Sequence, residues 1–354
     1  MRRHCDSFPI ARLQPLVSIL IPAFNAKCWI ADTIRSALSQ TWPRKEIIVV
    51  DDGSTDATLS IARQFASKGL KVIGQENQGA CAARNNAFAA SQGEYIQWLD
   101  ADDLLAPDKI ARQIQALDTC QRERTLLASA WGCFHHRVQR ANFSPTALWC
   151  DLSPLEWIIR RMEQSVYMQT TSWLVSRELT EAAGPWDTRL CNDQDGEYFC
   201  RVILASDGVR FVPEAKAFYR LSGAGSVSYV GRSNRKLESL FLSTKLQVGY
   251  VRACANNDRT RSACLKFLHS AQPAFYPFRL DLIEELEEIA RELGGRLAPP
   301  RLSWKYDWIR RCFGWRAARQ AELSLRRFKS SVVNSWDKAM YNLENGIFVS
   351  GRAG

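Results

Sequence analysis

The reading turns on residues 93–110, GEYIQWLDADDLLAPDKI, where an apolar segment runs into Asp100, Asp102 and Asp103 within four positions. Like charges that close raise one another's pKa. A chain that ends a buried strand this way expects something positive there. In an extended chain residues i and i+2 share a side, so Asp100 and Asp102 face one volume and Ala101 turns away. Hard divalent cations take oxygen ligands. Mg2+ commonly uses one or two carboxylates and completes its shell with phosphates and water. The plainer alternative is a turn in which Asp103 caps the next helix.

The same rhythm surrounds this stretch. LVSILI (16–21), EIIVV (46–50), LKVIG (70–74) and EYIQWL (94–99) read as strands. Helices are expected over 28–40, 55–66, 79–90 and 107–117, the last with Pro107 in its first turn. Four alternations in about 100 residues predict an α/β fold: a mainly parallel central sheet with helices on both faces. Ligands bind such sheets beyond the carboxyl ends of the strands. Three polar clusters fall there: PAFN (22–25), DDGSTD (51–56) and DADD (100–103). Turn and cap explain Gly53 to Asp56, but not two acids at a strand end, which suit a ribose hydroxyl or a base N–H. Phe24 suits either core packing or stacking under a base.

Further on, strands are expected at 126–132, 170–175, 209–212 and 217–221, and helices around 154–162 and 194–204. From about residue 231 the pattern is helical, broken near GGRLAPP (294–300). The expected organisation is a tail (1–14), a first half (15–118), a second half (119–230) and a helical C-terminal region (231–354).

Apolar residues make up 46% of the 354 and charged residues 24%, ordinary for a chain that buries a core. No apolar run approaches a membrane span, and no apolar stretch follows the N-terminal charges, so no signal peptide is expected. Eleven cysteines without a C-x-x-C pair fit buried thiols in a reducing cytosol. Four histidines without ligand-like spacing argue against zinc. PAFNAK lacks the glycines of a dinucleotide-binding dehydrogenase. It also lacks the Gly-rich basic loop of a nucleotidyltransferase.

VSILIPAFN (17–25), EIIVVDDGSTDAT (46–58), ENQGACAARNNA (76–87) and residues 93–110 together resemble the family-2 glycosyltransferases of GT-A fold, in the same order and spacing. The resemblance implies an inverting transfer of sugar from a nucleoside-diphosphate sugar, a UDP-sugar favoured, to an acceptor hydroxyl in cell-surface glycan or polysaccharide synthesis. It implies Phe24 near the nucleobase, Asp52 hydrogen-bonded to it and Arg84 near the donor. Pro22 and Asn25 match the family's first motif, which implies a place in the donor site; the plainer alternative is that they only shape the turn. Asp102 is the direct ligand of Mn2+ or Mg2+, with Asp100 nearer the ribose. In QDGEYFCR (194–201) Gln194 stands where the family has Glu, Asp195 matches the base, and Glu197 and Arg201 complete the motif. Asp193 is the fallback base, and helix capping the plainer role. YRLSGAGSVS (219–228) resembles the segment that closes the family's site. The acceptor is a glycan, a lipid-linked molecule or a protein. The alternative is a catalytically idle nucleotide-sugar-binding or scaffold protein.

The net charge of +10 is concentrated: residues 296–329 hold ten Lys/Arg and two acids. Within 301–328, Trp304, Trp308, Cys312 and Trp315 recur at helical spacing among basic residues. This is either an ordinary packed helix or one that lies at a membrane interface. A nucleic-acid partner is not expected, since the basic run is one helix without a recognition motif. The expected location is cytoplasmic, with peripheral contact at the inner membrane surface.

Overall fold

The computed structural model describes residues 14–119, 124–222, 233–299 and 303–345. Its first part alternates as the sequence pattern predicts: β1 (Val17–Ala23), α1 (Ile30–Leu38), β2 (Lys45–Asp52), α2 (Thr58–Arg63), β3 (Leu70–Gln75), α3 (Ala80–Ala89) and β4 (Tyr95–Trp98). β2 and β4 flank β1, β3 lies outside β2, and all three ladders are parallel. Side-chain alternation assigns the helices to faces. Val17, Ile19, Ile21, Ile47 and Val49 share one core with Ile30 and Ile34 of α1 and Ala62 of α2. Leu20, Ile48 and Val50 share the other with Ala83 and Ala87 of α3.

The chain continues through β5 (Leu104–Leu105), α4 (Lys109–Ala116), β6 (Thr125–Phe134), β7 (Asn142–Phe143), α5 (Pro154–Gln164), β8 (Trp173–Ser176), α6 (Arg177–Ala183), α7 (Gln194–Ala205) and β9 (Gly208–Arg220). The sheet order is β3-β2-β1-β4-β8-β6-β9-β5, with β7 on β6. The long ladders are parallel; β8 joins the halves by short antiparallel pairings to β4 and β6.

Three local expectations change. The strands expected at 209–212 and 217–221 are the two ends of β9. Its register against β6 jumps between Ser129 and Ala130, leaving Pro213 to Ala215 in a bulge where a proline is tolerated. The strand expected over 170–175 begins only at Trp173, because Thr170–Ser172 forms a 3-10 turn. Asp103 caps no helix: α4 begins at Lys109, and Asp103 is buried elsewhere.

Four helices follow: α8 (Asn234–Cys254), α9 (Asp258–Phe275), α10 (Leu280–Glu292) and α11 (Trp304–Glu344), the last kinked where Gly314 adopts φ 78°. Leu237 and Val248 of α8, Leu268 of α9 and Leu286 of α10 belong to the same core as α5 and α7. The expected limits near 14, 118 and 230 fall beside residues 1–13, 120–123 and 223–232, which lie outside the described residues, as does most of 219–228.

Candidate active site

β1, β2 and β4 end on one edge of the sheet, and the three polar clusters meet there. Pro22 closes β1. Leu16 and Leu20 direct their carbonyls at residues 94 and 99, on the β4 side. Two residues on, Pro22 turns its donorless nitrogen the same way, past the end of β4 at Trp98, so no ladder bond is lost. Phe24 stands clear of the core, 50% exposed. Asn25 has φ 49°, a left-handed conformation that Asn tolerates. Its backbone N donates to Ser54 Oγ (2.9 Å) and its carboxamide oxygen accepts from Thr55 N (2.9 Å). The first cluster is thereby tied to the second.

Asp51 and Asp52, both buried, are used differently. Asp52 accepts from Gln75 Nε2 (2.7 Å), Asn77 Nδ2 (3.2 Å), Gln78 N (2.9 Å) and Gly79 N (2.8 Å). A carboxylate has about four lone-pair sites, so Asp52 is saturated in holding the turn that leads into α3. Asp51 accepts Ser54 N through Oδ2 (3.0 Å), while its buried Oδ1 has no hydrogen-bond partner. Of the two strand-end acids, Asp51 has capacity for a ligand.

At the end of β4 the three aspartates separate. Asp103 is fully buried, accepting from Thr171 Oγ1 (2.7 Å) and Arg220 N (2.9 Å). Burial and its acidic neighbours hold its pKa well above the usual carboxylate range. Asp100 and Asp102 stay at the edge. Asp100 accepts from Arg84 Nη2 (2.7 Å). Burial, then the charge of Asp100, pushes Asp102 up to about 6. Arg220 stacks on Trp29 (4.4 Å) and donates from Nε to the carbonyl of Asp102 (2.8 Å), fixing that turn.

Arg84, on α3, lies over the ring of Trp186 (4.4 Å), and its buried Nε and Nη1 have no hydrogen-bond partner. Trp186 is stacked on Tyr198 (3.8 Å). An arginine so placed is pre-aimed and retains donors for an anion.

The second acidic motif opens α7. Asp193 precedes the helix with φ 51°, and its Oδ2 accepts from Ser243 Oγ (2.7 Å) and Gln247 Nε2 (2.9 Å) of α8. Burial pushes it up to about 6 against the opposing pull of Arg161. Glu197 is buried and locked to Arg201 (2.7 and 2.9 Å) and to Tyr250 Oη (2.8 Å). Arg201 also donates to the carbonyls of Ala183 and Pro185, holding the loop that presents Trp186. Gln194 is buried against the thiol of Cys81 (3.5 Å). Asp195 is spent on none of this. It accepts no hydrogen bond from another described residue, and its charge acts on Arg84 and Tyr167. Asp193 therefore joins helices, and Asp195 stays free of them, near enough for its charge to act on Arg84.

Among the described residues no three His, Cys, Asp or Glu side chains cluster for a metal. What Asp100 and Asp102 offer is two carboxylate groups whose charges oppose each other, in a partly desolvated edge. That donor set fits a hard divalent cation whose remaining ligands come from a diphosphate and water.

Residues 18–123 match the model of Glycosyl transferase family 2. This part of the chain is a family-2 glycosyltransferase domain. Over 105 residues the chain is 42% identical to a Bacillus subtilis protein named for teichuronic acid biosynthesis, the glycosyltransferase TuaG; the match covers 29% of this chain and 42% of that one. An uncharacterized glycosyltransferase of Haemophilus influenzae is 41% identical over 103 residues, covering 28% and 41%. The chain thus matches about two-fifths of the length of these relatives. Likeness of fold extends beyond the family-2 domain. S. aureus TarS 1–349, crystallised with UDP-GlcNAc, superposes with a TM-score of 0.62 at 18% identity, covering 78% of this chain and 83% of that chain. A Pyrobaculum calidifontis mannosyltransferase crystallised with GDP-Man and Mn2+ gives 0.52 at 20%, covering 94% and 90%. The fold is GT-A.

The sequence reading gave no individual role to Asp51, Trp186 or Arg220, which the structure brings to this edge. For Asp51 the signal was present, two adjacent acids at one strand end, but only the hydrogen bonds show which is already taken. Trp186 and Arg220 act through partners more than 100 residues away in the chain, which no local pattern signals.

Proposed function

We propose that the protein is an inverting glycosyltransferase, moving a sugar from a nucleoside-diphosphate sugar to an acceptor hydroxyl in cell-surface glycan synthesis. The observation that carries this reading is the gathering of Asp51, Arg84, Asp100 and Asp102 at one sheet edge, with the uncommitted Asp195 near enough for its charge to act on Arg84. The family-2 domain and the UDP-GlcNAc complex of TarS support a UDP-sugar donor. The exposed ring of Phe24 suits stacking on the base, and the free oxygen of Asp51 suits a base N–H, in place of the saturated Asp52. Pro22 and Asn25 serve by shaping the loop.

Asp102, with Asp100 beside it, would hold Mn2+ or Mg2+, which when bound neutralises the charge that develops on the leaving diphosphate. Arg84 adds fixed positive charge at the same end of the donor. Asp195 takes the proton of the acceptor hydroxyl, a role typically worth ~10²–10⁴ in rate. Attack from the side opposite the leaving group inverts the anomeric carbon. Free thiols at nine described positions support a reducing cytoplasm. Trp304 and Trp308, 80% and 60% exposed beside basic residues, support contact of residues 301–328 with the inner membrane surface.

The test is a screen of UDP-, GDP- and dTDP-sugars with Mn2+, reading nucleotide release. One donor should be turned over, and Asp102→Ala should abolish the release. An idle binding protein would bind a donor and release nothing. If no donor is bound or turned over, the reading fails.

A further inference from the structure

The C-terminal half of α11 packs the wrong way round for a helix in water. Leu325, Phe328, Val332, Trp336, Ala339 and Leu343 recur at spacings of 3, 4, 4, 3 and 4, a single stripe along the helix. All six are exposed, the five large ones by 42 to 65%. A surface helix normally turns such a stripe to the core and its polar side to solvent. Here the polar side is turned in. Asp337 accepts from the backbone N of His136 (2.8 Å) and from Arg137 Nε (2.8 Å), and Glu344 accepts from Arg137 Nη1 (2.8 Å). Tyr341 lies against the His136 ring. The polar face is bolted to the end of β6, and the apolar face is presented outward.

We propose that this stripe docks on an anionic lipid surface. Charge favours lipid over a second copy of the chain. Residues 303–329 hold eight basic side chains and two acidic ones. Asp307 is paired with Arg310 and Arg311, and Glu322 with Arg319. Two copies packed along this helix would bring like charges together, whereas anionic headgroups neutralise them. Trp304, Trp308 and Trp336 are exposed, and tryptophan concentrates at the depth of the headgroups. Among the described residues no helix is long and apolar enough to cross a membrane, so α11 lies in the interface plane.

The inward, bolted side of α11 connects to the candidate active site through a chain of contacts. His136, at the bolt, packs on Trp29; Trp29 carries Arg220; and Arg220 holds the Asp102 carbonyl. The docking surface stands on exposure and charge alone. Its consequence, that the acceptor is carried by a lipid and meets Asp195 at the membrane surface, rests on the transferase reading.

The test is co-sedimentation of the full chain with vesicles of phosphatidylcholine alone or with 30% phosphatidylglycerol (about one anionic headgroup in three). Binding is expected only to the anionic vesicles, weakening as salt rises. The combined variant Phe328→Ser, Val332→Ser, Trp336→Ser should bind at least ~10-fold more weakly, with unchanged circular dichroism and unchanged nucleotide release without vesicles. Should that variant lose its helical signal, Trp336→Ser alone is expected to bind several-fold more weakly. Wild-type binding that is absent, or indifferent to both phosphatidylglycerol and the substitutions, overturns the proposal. So does a dimer in sedimentation that the combined variant converts to monomer. Vesicle binding without nucleotide release from any donor supports the docking surface and removes the transferase reading.

Discussion

Asp193 and Asp195 stand two residues apart and are separated by what they touch. Asp193 is occupied by Ser243 and Gln247, and Asp195 by no hydrogen-bond donor among the described residues. Asp195→Asn should therefore lower kcat by ~10²–10⁴ and leave donor binding within a few-fold. Asp193→Asn should retain most of kcat; steady-state kinetics on both variants checks this. Asp193 also makes a pH prediction. Its folded pKa of about 6 lies above the usual carboxylate value, so the folded state binds its proton more tightly than the unfolded chain. Its contribution to stability falls as pH rises from about 4 through 6. Asp193→Asn, which suits the left-handed backbone, should be more stable than wild type at pH 7 by on the order of 1–2 kcal/mol and equal to it below pH 4. Denaturant unfolding at the two pH values decides. Asp51 and Asp52 divide similarly. Asp51→Asn should weaken donor binding about 10-fold with little change in Tm, since it removes one charged acceptor. Asp52→Asn sets an amide among four donors and should lower stability by roughly 1.5–3 kcal/mol.

At the scale of elements, the first half of the fold was legible because its signals are local. The near-continuous apolar runs of 17–21 and 47–50 mark strands buried on both faces, and the acids mark where strands end. Helix ends were less legible. The helix expected over 55–66 is confined to Thr58–Arg63, because Ser54 and Asp56 are drawn into hydrogen bonds with Asn25 and Lys27 across the loop. β9 was read as two strands because its bulge is defined by β6, not by its own sequence. The close approach of Gly93 to β1 was equally invisible. A Cβ at Gly93 would lie 2.4 Å from Ser18 Oγ and 2.5 Å from Ser18 N. Gly93→Ala must therefore move backbone, and should lower stability by about 1–3 kcal/mol in thermal or denaturant unfolding.

For the whole molecule, the arrangement is a two-faced sheet whose C-terminal edge collects acids and two buried arginines, Arg84 and Arg220, with a basic helix bolted beside it. Most of that edge was readable from order and spacing. The inside-out setting of α11 was not, because apolar periodicity alone does not tell which side faces the protein. The central claim is that this edge binds a nucleotide's diphosphate through a divalent ion held by Asp102. Electron paramagnetic resonance of Mn2+ titrated with the protein, with UDP, GDP or dTDP present, tests it most directly. One nucleotide should draw Mn2+ into a bound state on the wild-type chain, and Asp102→Ala should abolish that state. Mn2+ bound equally by both proteins, or by neither with any of the nucleotides, would contradict the account.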